Sequence, residues 1–321
     1  MKRLSVAALA AVFAACGPLS NVDEFRNASP SRQGVDIKVP SDSGKALTAS
    51  DYGSQEQALI GERAHWYTLT RAMTLVVNGG TAWVLNLCEQ IIKHQPTTID
   101  DTHAVWGPHT NPLSPNTFKF TVTKVDDGYD YLLEAKAKDA DDSAYVTLIS
   151  GHHVPGAAEK EGSGTFSLDW DAAQTLPEHS KEVGKADFTY SRNANLDVTV
   201  GVKFKQAMDE ESGQRVDADY AFSQIAGGDG SFEFVLHKDM TELPNNTPAK
   251  ERLAIKSRWQ NDGAGRCDVK VSQGDIVNPL TLSECWGSTF LETYYADSLG
   301  ITAAQDAESA CVFPTAEYTE L

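Results

Sequence analysis

The sequence predicts an α+β protein that is mostly β: a curved antiparallel meander of about ten strands, a half-barrel or open barrel, covered by N-terminal helices. Three observations predict it. From about residue 103 onward, apolar residues recur at every second position in short runs separated by Gly, Asp and Asn. Across residues 54–95 the apolar spacing is near-helical instead. The composition, 41% hydrophobic with six Trp and ten Tyr, is that of a chain able to bury a sizeable core.

The chain begins with Lys2 and Arg3, followed by an apolar stretch over residues 4–15 broken only by Ser5. A basic start, a short apolar run and small residues at its end make a secretory signal peptide. Twelve helical residues rise about 18 Å, short of the roughly 30 Å of a bilayer core, so the run does not span a membrane. It ends in Phe13-Ala14-Ala15-Cys16, which resembles the lipobox of bacterial lipoproteins, with Phe13 where that motif usually has Leu. The resemblance implies cleavage after Ala15 and acylation of Cys16, which would anchor an exported protein in the cell envelope. Gly17 in place of Asp after the cysteine implies the outer membrane. Each buried methylene contributes about 0.8 kcal/mol, so two or more acyl chains hold stably where one does not. Residues 16–53 are rich in Ser, Gly, Asp, Asn and Pro and read as a flexible tether. Residues 54–321 read as a single domain.

Leu59, Trp66, Leu69, Met73 and Val77 mark the buried side of a first helix. Gly79-Gly80 interrupts the pattern, and Asn78 is placed to cap a second helix carrying Trp83, Leu87, Cys88, Ile91 and Ile92, which Pro96 ends. The stretch TFKFTVTKVDDGYDYLLEAKAK (117–138) then reads as a hairpin with Asp-Gly at its turn. Runs of alternating character follow at AYVTLISG, SGTFSLDWDA, KADFTYSR, LDVTVGVKFKQ, RVDADYAFSQI, GSFEFVLHK, ERLAIKSRWQ, GRCDVKVSQ and TLSECWGS. The last thirty or so residues, 291–321, read as loop with a short helix.

With 27 basic against 45 acidic residues the formal charge is −18, and loss of Lys2 and Arg3 with the leader brings it to about −20. Such a charge excludes nucleic acid, whose phosphates require basic patches. Setting Cys16 aside leaves Cys88, Cys267, Cys285 and Cys311, an even count that in an oxidising compartment predicts two disulfides. Cys267 shares an apolar strand face with Val269 and Val271, and Cys88 lies on the apolar side of a helix, which favours Cys88–Cys267. Cys285 lies opposite Leu282 and Trp286, so it would meet Cys311 in a tail crossing the outer face. A Cys267–Cys285 hairpin pairing is the alternative.

By order and pattern over about residues 54–290, the chain resembles the half-barrels of the lipoprotein-carrier and outer-membrane-lipoprotein-receptor families. No family motif accompanies this, so no site residue is carried across. SGHHVPG (150–156) reads as a solvated loop whose two histidines point apart. KDADDSAY and DEESG read as acidic turns; the first starts like a calcium loop but has Ala144 and Ser150 where the Gly and Glu belong. Trp106 reads as a plug at the barrel end. No catalytic motif, metal set or cofactor loop is found. The expected function is non-catalytic: binding or scaffolding at a membrane surface, toward an apolar ligand, a lipid or an acylated envelope partner. A structural or adhesive surface protein with a filled barrel is the alternative, and a hydrolase of envelope polymers a minor one.

Overall fold

The computed structural model describes residues 21–26, 35, 37–41, 60–158, 161–209, 213–240, 249–300 and 306–321. Cys16 and most of the segment read as a tether lie outside them. The sheet has fourteen strands: β1 (Thr98–Ile99), β2 (His103–His109), β3 (Asn116–Val125), β4 (Gly128–Ala137), β5 (Val146–Pro155), β6 (Gly162–Asp169), β7 (Lys185–Arg192), β8 (Val198–Met208), β9 (Arg215–Gln224), β10 (Gly230–Lys238), β11 (Glu251–Trp259), β12 (Gly265–Gln273), β13 (Ile276–Trp286) and β14 (Glu292–Asp297). They pair antiparallel in strict chain order from β1 to β14, and the two ends do not pair with each other, so the sheet is an open meander. The predicted class holds, with fourteen strands where about ten are expected. Short β1 and the Gly- and Pro-containing β2 precede the first run that the alternation marks. β14 sits in the stretch expected to be loop.

Alternation sets the inner face as it sets the pattern. Phe188 pairs across with Val202 on one side and Phe166 on the other, and the Phe166 and Phe188 rings stack at 4.3 Å. Cross-strand aromatic and β-branched pairs of this kind are the unit of sheet stability. At the expected Asp-Gly turn, Asp126 and Asp127 make the loop and Gly128 already opens β4.

Among the described residues, the long helix against the inner face is α2 (His65–Ile92); α1 (Asn21–Arg26) precedes it and the one-turn α3 (Trp170–Ala173) follows β6. The expected break at Gly79-Gly80 does not occur: α2 runs unbroken for 28 residues, about 42 Å. Two glycines cost about 2 kcal/mol of helix propensity, and burial of Tyr67, Val77, Leu85, Cys88 and Ile92 in the one main core outweighs it. The side chains of Trp83 and Leu87 are not among those described. Asn78 caps nothing. Its carboxamide instead accepts from the Ile37 N–H at 2.9 Å and donates to the Ile37 C=O at 2.7 Å, holding an extended segment as a β-ladder would. The lead-in is accordingly more than a tether: Phe25, Val35 and Ile37 are buried in the core, and Arg26 donates to the Ile92 carbonyl at the end of α2 at 3.0 Å.

The C-terminal tail crosses the outer face of β10–β13, as the position of Cys285 predicted. Arg252 donates to the carbonyls of Thr319 and Leu321, Arg258 to that of Thr315, and Arg266 to that of Phe313. Beneath the tail, Arg266 and Asp268 are fully buried and paired at 2.7 Å. The Cys285–Cys311 disulfide fixes its start.

Candidate functional site

At one end of the half-barrel, where the β2–β3 ladder shifts register between Trp106 and His109, two clefts open on either side of Phe118. The first, about 400 Å³, is walled by Phe118, Leu133, Ile149, Leu168 and Trp170, with Asn116 on the β3 side. The second, about 540 Å³, lies between Phe118, Phe120 and Trp106 on the sheet and Ile91 and His94 at the end of α2. The sequence builds both locally. Asp169 ends β6 and caps α3 by accepting the Ala172 N–H at 2.8 Å. That turns Trp170 back over the rim, where its ring lies parallel to Phe204 at 6.3 Å. Trp106 is the plug the sequence suggests: it is buried, and its Nε1 donates to the His94 carbonyl at 3.0 Å, tying helix end to sheet. It is also a cleft wall. Apolar cavities with a few placed polar groups are the usual form of a small-ligand site.

Of the other predicted site residues, Cys285 and Cys311 are bonded, whereas Cys88 and Cys267 are free and buried. The expected Cys88–Cys267 bridge fails for a length reason. Ser257, opposite Cys267, lies 2.6 Å from the Thr70 hydroxyl. Cys88 is eighteen residues further along the same helix, a rise of about 27 Å, beside Tyr131. Burial pushes the Cys88 thiol up to about 12 and Cys267 well above its ordinary value. The expected solvated loop at 150–156 is instead the end of β5, so its histidines sit on opposite faces. His152 lies outside, 2.8 Å from Asp130. His153 is inside, 6% exposed, with Nδ1 2.7 Å from the Tyr190 hydroxyl; burial, and then His152, hold it down near about 4. In KDADDSAY, Asp142 pairs with Lys136 at 2.8 Å; most of DEESG lies outside the described residues. Among the described residues no three His, Cys, Asp or Glu side chains come together as a metal site.

A buried acid pair escaped the sequence reading. Glu284 is 0% and Glu292 2% exposed. Glu284 accepts the His65 N–H at 2.9 Å and the Trp66 N–H at 2.7 Å, capping α2 from the sheet. Burial first, then the neighbouring Glu292 carboxyl, push Glu284 up to about 8; burial also raises Glu292. Burial of both carboxyls thus favours their protonated forms. The signal was present: Glu284 alternates with Leu282 and Trp286 on the inward face. The cap faces inward beneath α2 and does not line either cleft, so it reads as architecture.

Comparison with protein-family models, with curated proteins and with solved structures returns no match for this chain. No helix among the described residues is long and apolar enough to cross a membrane.

Proposed function

We propose that this is a lipid-anchored envelope protein, exported and held at the outer membrane through acyl chains on Cys16, whose half-barrel binds an apolar chain without catalysing a reaction. The chain belongs to a lipid or to an acylated partner. The observation that carries the reading is the pair of apolar clefts flanking Phe118. A second feature supports it. Arg26 of α1 docks on the end of α2, whose Ile91 walls the larger cleft. Residue 16 stands five residues before α1, so at full extension it lies within about 17 Å of that helix, and this supports an anchor at Cys16 near the same end. A structural or adhesive role is the second reading, and the concavity filled by α2 and packed rings supports it.

The test uses the full chain with Cys16→Ser, titrated with an environment-sensitive naphthalene fluorophore and then with an uncharged fourteen-carbon amphiphile. Saturable binding and displacement are expected, weakened at least about tenfold by Ala173→Trp, which fills the smaller cleft from α3. Absence of binding refutes the reading, and an Ala173→Trp variant that binds as the parent does excludes the smaller cleft as the site.

A further inference from the structure

We infer that the larger cleft selects a single-chain amphiphile with an anionic head, held at the rim by His94 and His109. The inference rests on the binding reading above and adds the charge of the ligand's head.

His94 follows the end of α2 and shares the cleft wall with Gln90 and Ile91, one turn back on the same side. Its backbone is fully engaged: the N–H donates to the Ile91 carbonyl at 3.2 Å, and the carbonyl accepts the Trp106 indole at 3.0 Å. What it has left to offer the cleft is the imidazole, and the residue is exposed. His109 stands opposite Phe118 across the β2–β3 ladder, and Phe118 is the ring that both clefts share. It too is exposed. Among the described residues neither imidazole has a hydrogen-bond partner, whereas those of His103, His152 and His153 each have one. Thr97 fixes the rim between helix end and strand: its hydroxyl accepts the Gly107 N–H at 3.0 Å, and its own N–H donates to the Val105 carbonyl at 2.7 Å.

The charge of the wall suits an anion. Besides the two histidines, Gln90 and Gln95 bring N–H donors, and no wall residue of this cleft is a carboxylate. The smaller cleft differs in this respect, since Asp169 and Glu178 line it. The acids nearest in sequence, Glu89, Asp100 and Asp101, stand outside the wall, and Asp100 is occupied by the Thr102 and His103 N–H groups, each at 2.8 Å. The charge of −18 on the whole chain acts at range and is screened beyond about 8 Å at physiological salt. A neutral imidazole donates one N–H and an imidazolium two, so either form serves an anionic acceptor, and a charged acceptor makes the stronger bond. A cationic head has no acceptor side chain of opposite charge to meet. Trp106, Phe118 and Phe120 supply the apolar part, with the Trp106 and Phe120 rings 5.9 Å apart. A chain laid along them would leave its head among the histidines.

The experiment compares four ten-carbon probes on the Cys16→Ser chain at neutral pH and physiological salt by fluorophore displacement: decanoate, decyl phosphate, 1-decanol and decyltrimethylammonium. At least one anion is expected to bind about tenfold more tightly than the alcohol, and the ammonium least. Whichever anion binds better identifies the head as carboxylate or phosphate. His94→Leu and His109→Leu, both at exposed positions, should each weaken that anion about threefold or more and leave the alcohol unchanged; the double variant should bring the two within about twofold of each other. Ala173→Trp, in the other cleft, should leave the preference intact, and loss of the preference in that variant would overturn the assignment to this cleft. A parent chain that binds all four within about twofold, or the ammonium most tightly, overturns the inference and leaves the binding reading standing. Binding of none overturns that reading itself.

Discussion

The substitution Glu292→Gln should flatten the dependence of stability on pH, and above neutrality should make the protein more stable. In the folded protein Glu284 and Glu292 are both buried, and Glu284 is pushed from 4.5 up to about 8, so it keeps a proton that the unfolded chain gives up. The unfolded chain releases that proton near 4.5, so folding takes one up across the interval. Stability is then fully present at low pH and falls as pH rises, at about 1.4 kcal/mol per unit for one proton. His153 acts the other way. Its folded value is lowered from 6.5 to about 4, so its contribution grows as pH rises toward 6.5 and is level beyond; His65, also lowered by burial, follows the same sign. Between pH 6.5 and about 8 the acid pair therefore acts without opposition from them, and the parent should lose about 2 kcal/mol. The carboxamide introduced at position 292 donates through its nitrogen to an ionised Glu284, whose other partners, the His65 and Trp66 N–H groups, already favour the charged form. The Glu292 contribution is then removed while burial, the larger cause, remains, so the slope should fall without vanishing. Urea unfolding followed by tryptophan fluorescence at several pH values in this window, with the disulfide intact, measures both slopes. Parallel slopes for parent and variant would refute the role given to Glu292.

Three further outcomes follow from the same geometry. Reduction of Cys285–Cys311, or Cys311→Ser, opens a loop of 26 residues and should cost roughly 3 kcal/mol in urea unfolding; an unchanged midpoint would mean that the arginine contacts alone hold the tail. Leu133→Ala, at a fully buried inner-face position, should cost about 2–5 kcal/mol by the same assay, and a loss under about 1 kcal/mol would place that position outside a close-packed core. In a Cys16→Ser chain, Cys88 and Cys267 should resist iodoacetamide when native and both react in denaturant without reductant, because the two thiols are buried and unbonded; mass spectrometry showing no alkylation in denaturant would restore the bridge between them.

Much of the sheet was legible because alternation is a local property. The runs from residue 117 to residue 286 became strands with their apolar residues inward, and the face assigned to Cys285 led to its partner. What failed depended on distant parts of the chain. Gly79-Gly80 reads locally as a break, yet the core beneath α2 holds the helix through it. Cys88 and Cys267 each lie on an apolar face, but a one-dimensional pattern carries no information on which end of a 28-residue helix meets which strand. The histidines at 152 and 153 looked like loop because Gly and Pro surround them, whereas pairing to β4 and β6 makes them strand. The clefts were illegible for a similar reason: β2, β3, α2 and α3 converge on Phe118 from separate parts of the sequence. His94 carries no sequence mark at all; its place in a cleft wall arises from Trp106, 12 residues away.

The most direct test of the account is to locate a bound chain on the protein. With isotope-labelled Cys16→Ser protein and unlabelled decanoate, filtered nuclear Overhauser spectra should show contacts from the chain protons to Trp106, Phe118 and Phe120, and from the protons beside the carboxylate to His94 and His109. Contacts confined to the outer face, or none under conditions that saturate the fluorophore site, would contradict it.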